Sequence, residues 1–291
     1  MVTLKKCVII INMGYIREPA ASGMFYPGNS EALKHDIAKY LDHAEFDAVE
    51  GDITGIISPH AGYMYSGPVA AYGYKSLLGR DYDTVIVLSP SHRAFFEGAA
   101  IIDEGGYRTP LGIVNIDSDT AGDILKECNA VNVNIKAHIG EHALEVQLPF
   151  LQVVLKSFML IPVIMGTQDF STCEELSQCL YEVIKKSGKK FLVIGSSDLS
   201  HYYPYDKAVI LDNIIIEHLK KFNISGLARE FAQHKCEACG FGTIIATMML
   251  SEKCGATRSK ILKYATSGDV SGDKSGVVGY VSSVFYRYPG N

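Results

Sequence analysis

Basic residues are scarce relative to acidic ones in this chain. Its 291 residues include 27 lysines and arginines against 32 aspartates and glutamates, which gives a formal net charge of -5. Nucleic-acid binding requires clustered Lys and Arg, so this balance argues against a nucleic-acid partner. Hydrophobic residues make up 47% of the sequence, a share that is typical of a globular protein and not of a disordered one.

Long hydrophobic runs are also missing. The longest, GTIIATMML at 242–250, is too short to cross a bilayer and has the length of a core helix, so we expect no membrane contact. The apolar stretch in MVTLKKCVIIINM at the N-terminus resembles a stunted signal peptide but is also below spanning length. Because the chain reads more naturally from Met13, we predict one domain over 13–291, preceded by an N-terminal extension at 1–12.

The cysteines do not form the pattern of a disulfide framework. Their number, seven, is odd, and they are scattered along the chain, which argues against a small secreted scaffold and favours a cytoplasmic location. Cys173 and Cys179 fall on a predicted helix and are interpreted as packing residues. Cys236 and Cys239 form a C-x-x-C motif, which suits a redox pair or half of a zinc site. Since the sequence has no second C-x-x-C, a four-cysteine zinc site is excluded.

Apolar runs alternate with helical patterns along the chain, without internal repeats, low-complexity tracts or linkers. Such alternation predicts a three-layer α/β fold in which helices cover both faces of a central, mostly parallel sheet. The predicted strands are 53–58, 84–89, 99–102, 158–165, 191–198 and two C-terminal runs at 259–269 and 277–288, with a hairpin at 105–114. The predicted helices are 30–42, 67–78, 117–127, 141–155, 171–188, 204–221, 225–233 and one that starts near Cys239.

Three histidines each follow a strongly apolar run. His60 comes after ITGIISP, His92 after TVIVLSPS and His201 after FLVIGSSDLS. Ligands of open α/β sheets bind beyond the carboxyl ends of the strands, so the three imidazoles are predicted to meet at one edge of the sheet. Imidazole is a frequent ligand of borderline metals, and the sequence therefore predicts a shared metal site.

Two further residues have side chains suited to the same chemistry. Asp198 precedes His201 by three positions and can orient its imidazole, ligate a metal or cap the following turn. Cys239 precedes a predicted helix, whose N-terminus would lower the thiol pKa and favour metal ligation.

A second polar cluster, His138, Glu141 and His142, lies at the start of the helix predicted at 141–155. The carboxylate is equally well explained by a favourable interaction with the helix dipole. Either histidine also fits a surface position, so the sequence leaves the role of this cluster open.

Seven motifs carry a family resemblance: REPAASGMFYP, SPHAGYMYSG, LSPSH, RTPLG, EHALEVQLPFL, SSDLSHY and ATSGD. In this order, from about residue 17 to 286, they resemble the MEMO family (mediator of ErbB2-driven cell motility), and its prokaryotic branch in particular. The resemblance implies a fold similar to that of the LigB-type, class III extradiol dioxygenases. It further implies a vestibule in which His60, His92, His201 and Cys239 bind iron or copper.

The first functional hypothesis is a non-haem iron or copper redox enzyme related to these dioxygenases. His60, His92 and Cys239 would hold the metal. His201, oriented by Asp198, would act as an acid, a base or a fourth ligand. A thiolate in place of the dioxygenase carboxylate favours softer ions such as Cu(I), and zinc is a further candidate cofactor.

The alternative is a non-catalytic binding module. The same cleft would take a peptide or a small anionic ligand, with Tyr63, Tyr65, Arg93 and Arg108 nearby in sequence. A third hypothesis is metal handling without an organic substrate. Under each of these hypotheses, a disulfide between Cys236 and Cys239 would switch the metal site off.

Overall fold

The computed structural model describes residues 14–288, so the predicted extension at 1–12 lies outside the described residues. Within this range the strands are β1 (Ile16–Arg17), β2 (Asp52–Ser58), β3 (Thr84–Pro90), β4 (Ala99–Ile101), β5 (Gly106–Thr109), β6 (Gly112–Asn115), β7 (Val131–Val133), β8 (Met159–Met165), β9 (Phe191–Ser196), β10 (His201–Tyr203), β11 (Arg258–Thr266) and β12 (Val277–Arg287). The helices are α1 (Ser30–His43), α2 (Tyr63–Lys75), α3 (Ser118–Glu127), α4 (Ile135–His138), α5 (Leu148–Val154), α6 (Phe170–Ser187), α7 (Tyr205–Lys220), α8 (Ile224–Ala232), α9 (Phe241–Lys253) and α10 (Ser267–Ser271), with a 3-10 turn at Glu145–Gln147.

A large mixed sheet forms the middle of the molecule. Its strand order is β10-β12-β2-β9-β3-β8-β4-β7, and β11 pairs with β12. The four middle strands, β2, β9, β3 and β8, are parallel, whereas β12 pairs antiparallel with β2 and β4 antiparallel with β8. Only a short segment containing α10 connects β11 to β12, which is too little chain for a parallel crossover.

Helices cover both faces of this sheet. α2 packs against β2, β11 and β12, with α1 and α5 beside it, and α9 packs against β9, β2 and β3, with α6 and α8 beside it. Every residue of α9 from Gly242 to Ser251 is buried, as expected for the apolar run at 242–250. The predicted three-layer α/β class is therefore confirmed, with a parallel centre and antiparallel flanks.

Helix α9 packs closely against β9, and this contact determines where the helix begins relative to the sheet. A Cβ atom on Gly195 of β9 would lie only 2.5 Å from Oγ1 of Thr247. Glycine at this position lets the helix lie directly on the strand. The N-terminal end of α9 consequently sits beside the carboxyl end of β9.

The segment 141–155 differs from its predicted single helix. Residues Glu145–Gln147 form a 3-10 turn, and α5 begins only at Leu148, with Pro149 in its first turn. Proline lacks the N–H that an interior helical position requires but is favoured in a first turn. Glu141 thus lies before the helix, and the helix dipole does not account for it.

The cysteines also differ from the prediction in one respect. Cys128, at the end of α3, forms a disulfide with Cys179 of α6, so the interpretation of Cys179 as a plain packing residue was wrong. Cys173 is buried as expected, and both Cys236 and Cys239 are free thiols. No helix between residues 14 and 288 is long and apolar enough to span a membrane.

Candidate metal centre

Three strands end side by side and each is followed two residues later by a polar side chain. His60 follows β2, His92 follows β3 and Asp198 follows β9. The parallel pairing of these strands brings their carboxyl ends to one edge of the sheet. The ligand atoms of His60, His92 and Cys239 lie within 4.8 Å of one another there. This group is the candidate metal centre.

Hydrogen bonds fix the tautomer of His60. The Oγ of Ser196 donates its single proton to the carbonyl of Ala143 at 2.7 Å and accepts from Nε2 of Gln147 at 2.7 Å. That amide nitrogen also donates to the carbonyl of Pro59 at 3.1 Å, which fixes its orientation. The 2.9 Å contact of Ser196 with Nδ1 of His60 therefore has the imidazole as donor. Nε2 of His60 is left with a free lone pair.

The charge state of His60 agrees with this role. The side chain is 2% exposed, and burial holds its pKa well below the usual range, with His92, His142 and His201 lowering it further. A neutral imidazole is the form that ligates a metal.

A carboxylate orients His92 in the same way. Oε1 of Glu141 lies 3.0 Å from Nδ1 of His92, and Oε2 accepts from the His92 backbone N–H at 2.6 Å. Burial alone would raise the pKa of Glu141, but the hydrogen bonds from His92 and from the Ala143 N–H lower it overall. The ionised carboxylate can only accept, so His92 also presents Nε2 as its free nitrogen.

The third member, Cys239, lies just before α9. Its Sγ is 3.1 Å from Nε2 of His60 and accepts from the Asp198 N–H at 3.3 Å, while its own N–H donates to the Asp198 carbonyl at 3.2 Å. Gln168 donates to the Cys239 carbonyl at 3.0 Å and accepts from the Gly242 N–H at 2.9 Å. These bonds lock the turn that carries the thiol.

Burial and the charge of Asp198 raise the pKa of the Cys239 thiol. The Gly240 N–H at the start of the following helix acts in the expected direction and lowers the pKa of this thiol, but burial outweighs it. On ionising, the sulfur loses more solvation than the N–H groups around it return. Without a metal the thiol is neutral, and its proton points at the free nitrogen of His60.

The Asp198 carboxylate binds the backbone of the loop after β2 and does not cap the turn that follows it. Its Oδ1 accepts from the backbone N–H groups of His60 at 2.7 Å and Ala61 at 3.3 Å. Burial raises its pKa to about 6, although these two N–H groups and His201 act in the opposite direction. The carboxylate thereby tethers the segment that carries one imidazole to the segment after β9.

His201 stands apart from the other two strand-end histidines. It begins the edge strand β10, five residues after the end of β9, and its N–H donates to Oε1 of Glu237 at 3.1 Å. Among the described residues it belongs to neither of the two groups whose ligand atoms lie close enough for one ion. The position equivalent to that of the other histidines is occupied by Asp198, because β9 ends earlier than the apolar run suggested.

A residue that the sequence left open, His142, lies at the centre. Its ring centroid is 4.8 Å from that of His92 and 5.6 Å from that of His60, and its Nδ1 is 3.4 Å from Oε1 of Glu141. His92, Glu141 and His142 form the second group that could hold an ion. The adjacency of Glu141 and His142 was the only signal in the sequence. His138, by contrast, is buried away from this group against the Tyr107 hydroxyl.

Sequence reasoning missed the buried ion pair that supports this wall of the site. Arg17 pairs with Glu145, and both side chains are at most 1% exposed. Glu145 also accepts from the N–H groups of Ala20 at 2.7 Å and Ala21 at 2.9 Å, and Arg17 donates to the Glu141 carbonyl at 2.5 Å. The N-terminal segment is thereby fixed to the loop that carries Glu141.

The residues suggested for an anion site are partly engaged elsewhere. Arg108 forms an exposed ion pair with Glu18 at 2.9 Å. The buried Tyr63 hydroxyl donates to the Val146 carbonyl at 2.6 Å. Tyr65 lines a cavity next to the centre, together with Met64 and Phe25.

Fold and site together define a three-layer α/β protein with a candidate metal centre of two histidines and one cysteine. The family model described as Memo-like protein matches residues 17–284, and the chain belongs to the MEMO family. It is 38% identical over 280 residues to a MEMO1 family protein of Methanopyrus kandleri, covering 93% of this chain and 99% of the relative. A MEMO1 family protein of Methanocaldococcus jannaschii is 36% identical over 286 residues, covering 94% and 99%.

The fold is also found in a solved structure of low sequence identity. An uncharacterized protein from Escherichia coli K12 superposes with a TM-score of 0.54 at 11% identity, covering 80% of this chain and 99% of that chain. At this identity the similarity concerns the architecture alone.

Proposed function

We propose that this protein binds one redox-active transition metal, iron or copper, through Nε2 of His60, Nε2 of His92 and Sγ of Cys239. The observation that carries the proposal is the pair of hydrogen bonds on the two Nδ1 atoms, to Ser196 and Glu141, which leave both Nε2 atoms free beside the thiol. Outer hydrogen bonds of this kind orient the histidines of metal sites and raise their basicity.

The donor set fits such an ion. Two imidazoles and one soft sulfur suit iron, copper and zinc better than magnesium or calcium. Three protein ligands leave coordination positions for an exogenous molecule, and a bound iron or copper ion would supply redox chemistry to it. Because burial raises the thiol pKa, the ion must displace the Cys239 proton, and affinity should rise with pH.

Two groups beside the ligands are suited to move protons. Asp198, with a pKa of about 6, is poised to accept or release a proton near neutral pH. The His201 ring forms no hydrogen bond with another side chain or backbone group in residues 14–288. In this proposal Asp198 and His201 serve a small organic substrate as acid and base.

Metal binding by matched cysteine variants tests the proposal. Protein purified anaerobically is loaded with Fe(II), Cu(I), Zn(II) or Co(II), and bound metal is counted in the wild type, Cys239→Ser and Cys254→Ser. Cys254 is a free, partly buried thiol outside both candidate groups, so its variant is the control. We expect Cys239→Ser to lose the thiolate-to-cobalt absorption and at least about tenfold in affinity.

Equal affinity and an unchanged cobalt spectrum in Cys239→Ser would show that the sulfur is not a ligand. The redox part is tested separately on metal-loaded protein by oxygen uptake with a panel of catechols. Tight metal binding without uptake on any of them would remove dioxygenase chemistry and leave a metal-binding protein.

A further inference from the structure

A cavity of about 360 Å³ lies beside the metal centre, between the N-terminal loop, α1 and the first turn of α2. Its walls are largely aromatic and thioether side chains. They are Met24, Phe25, Tyr26, Tyr40, Met64 and Tyr65. Met24 and Met64 are 75% and 61% exposed, so they stand at the entrance. A volume of this size accommodates a small organic molecule.

One charged side chain lines this cavity, the carboxylate of Asp36. Within residues 14–288 it takes part in no ion pair and no side-chain hydrogen bond, whereas Asp117, Asp169 and Asp273 are all engaged in such bonds. Asp36 precedes Tyr40 by one turn of α1, and burial together with the charge of this carboxylate raises the pKa of the Tyr40 phenol. A carboxylate without a partner, set among aromatic rings, favours a positively charged ligand.

The cavity adjoins the metal centre through a single aromatic ring. Phe25, one of its walls, lies 4.7 Å from the His142 ring, which in turn stacks on His92. The backbone of Phe25 also accepts from the Tyr63 N–H at 2.7 Å, which ties the N-terminal loop to the start of α2. The cavity is therefore a built part of the fold and not a gap between separate loops.

We propose that this cavity binds a small organic ammonium ion, a quaternary or protonated amine joined to a short apolar body. The aromatic faces attract the cationic head, Asp36 neutralises it, and the thioethers at the entrance contact the apolar part. None of the cavity residues is a candidate metal ligand. The site thus stands whether or not the neighbouring centre holds a metal.

Choline and its neutral carbon isostere, in which a tert-butyl group replaces the trimethylammonium group, are the probes. Binding to the full chain is followed by calorimetry and by the methyl resonances of its methionines. We expect choline to bind about tenfold more tightly than the isostere. The resonances of Met24 and Met64 should shift, and that of Met159, at the opposite end of the sheet, should not.

Matched variants on α1 assign the effect to the carboxylate. Asp36→Asn should reduce the preference for choline several-fold without abolishing it, because the ring faces still attract the cation. Asp42→Asn changes an exposed aspartate of the same helix that is not in the cavity wall, and it should leave the preference intact. Tyr40→Phe should keep choline binding and Tyr40→Leu should weaken it, because the attraction comes from the ring face.

Equal binding of choline and its isostere by the wild type would overturn the proposal. So would a preference for choline that is as large in Asp36→Asn as in the wild type. Metal content is measured in the same samples, so a failure of metal binding is recognised independently of the result with choline.

Discussion

The sulfur of Cys239 lies 3.1 Å from Nε2 of His60, although the two residues are 179 positions apart in the chain. The contact joins the loop after β2 to the turn before α9. Since the thiol is neutral and the imidazole nitrogen has a free lone pair, the S–H group donates to this nitrogen when no ion is bound. The candidate ligands are thus in place before a metal binds. The residues that hydrogen-bond to these ligands can therefore be tested by substitution.

Ser196→Ala tests the hydrogen bond that fixes the His60 tautomer. Without the Oγ acceptor at 2.9 Å, the imidazole is free to rotate and to place its proton on Nε2. Metal affinity should fall about 10- to 100-fold, measured by competition with a chelator. Ser283→Ala is the control, because Ser283 is a buried strand serine whose hydroxyl has no hydrogen-bond partner within residues 14–288. Equal affinities of the two variants would contradict the tautomer assignment.

Glu145→Gln tests the buried ion pair with Arg17. The substitution leaves a guanidinium at 1% exposure without its counter-charge, which should destabilise the fold by about 3 to 5 kcal/mol. Glu18→Gln removes the neighbouring exposed pair with Arg108 and should cost less than about 1 kcal/mol. Urea unfolding measures the loss of unfolding free energy in both variants. Similar losses would show that burial does not make the ion pair of Glu145 more important than that of Glu18.

We expect the protein to lose stability in acid because of the buried His138. Burial, with a smaller effect of Arg17, lowers its pKa to about 3, so the unfolded chain binds a proton near its ordinary pKa of about 6.5 while the native state does not. The contribution of His138 to stability is complete above about pH 6.5 and is lost progressively as the pH falls toward about 3.

The measurement compares unfolding free energies at about pH 7 and about pH 4. The wild type should lose up to about 3 kcal/mol more than His138→Gln over this interval. His35→Gln, which replaces an exposed histidine of α1, should behave as the wild type does. Parallel pH dependences of the wild type and His138→Gln would exclude this histidine as the source.

The disulfide between Cys128 and Cys179 closes a loop of chain with a sequence separation of 51. Its reduction should lower the free energy of unfolding by about 2 to 4 kcal/mol, because the unfolded chain regains conformational freedom. The double variant Cys128→Ala with Cys179→Ala should be insensitive to reductant. A reductant effect that persists in the double variant would point to another thiol.

Local patterns predicted most of the regular structure. Asp117 caps α3, and α6 ends at Gly188 in a left-handed conformation, close to the bounds predicted at 117–127 and 171–188. The middle strands followed from their apolar runs. The end of β9 could not be read in this way, because the run FLVIGSSDLSH continues past the last paired residue. That small difference separates His201 from the two histidines with which it was grouped.

The hydrogen bonds that hold the site could not be predicted from local sequence patterns, for a different reason. Ser196 and Gln147 are 49 positions apart, and Asp198 and His60 are 138 apart, so neither pair leaves a periodic or short-range signal. His142 was visible only as a neighbour of Glu141. A disulfide between Cys128 and Cys179 was likewise hidden among scattered cysteines.

The sequence by itself determined the alternating strands and helices, the edge at which His60 and His92 emerge and the family to which the motifs belong, since each depends on residues close together in the chain. Tertiary structure alone decided that His142 lies beside these two histidines, that burial keeps the Cys239 thiol protonated and that Asp198 holds the backbone of the His60 loop. Protonation states and ligand distances depend on which distant segments exclude water around a side chain, and only the packed fold sets that.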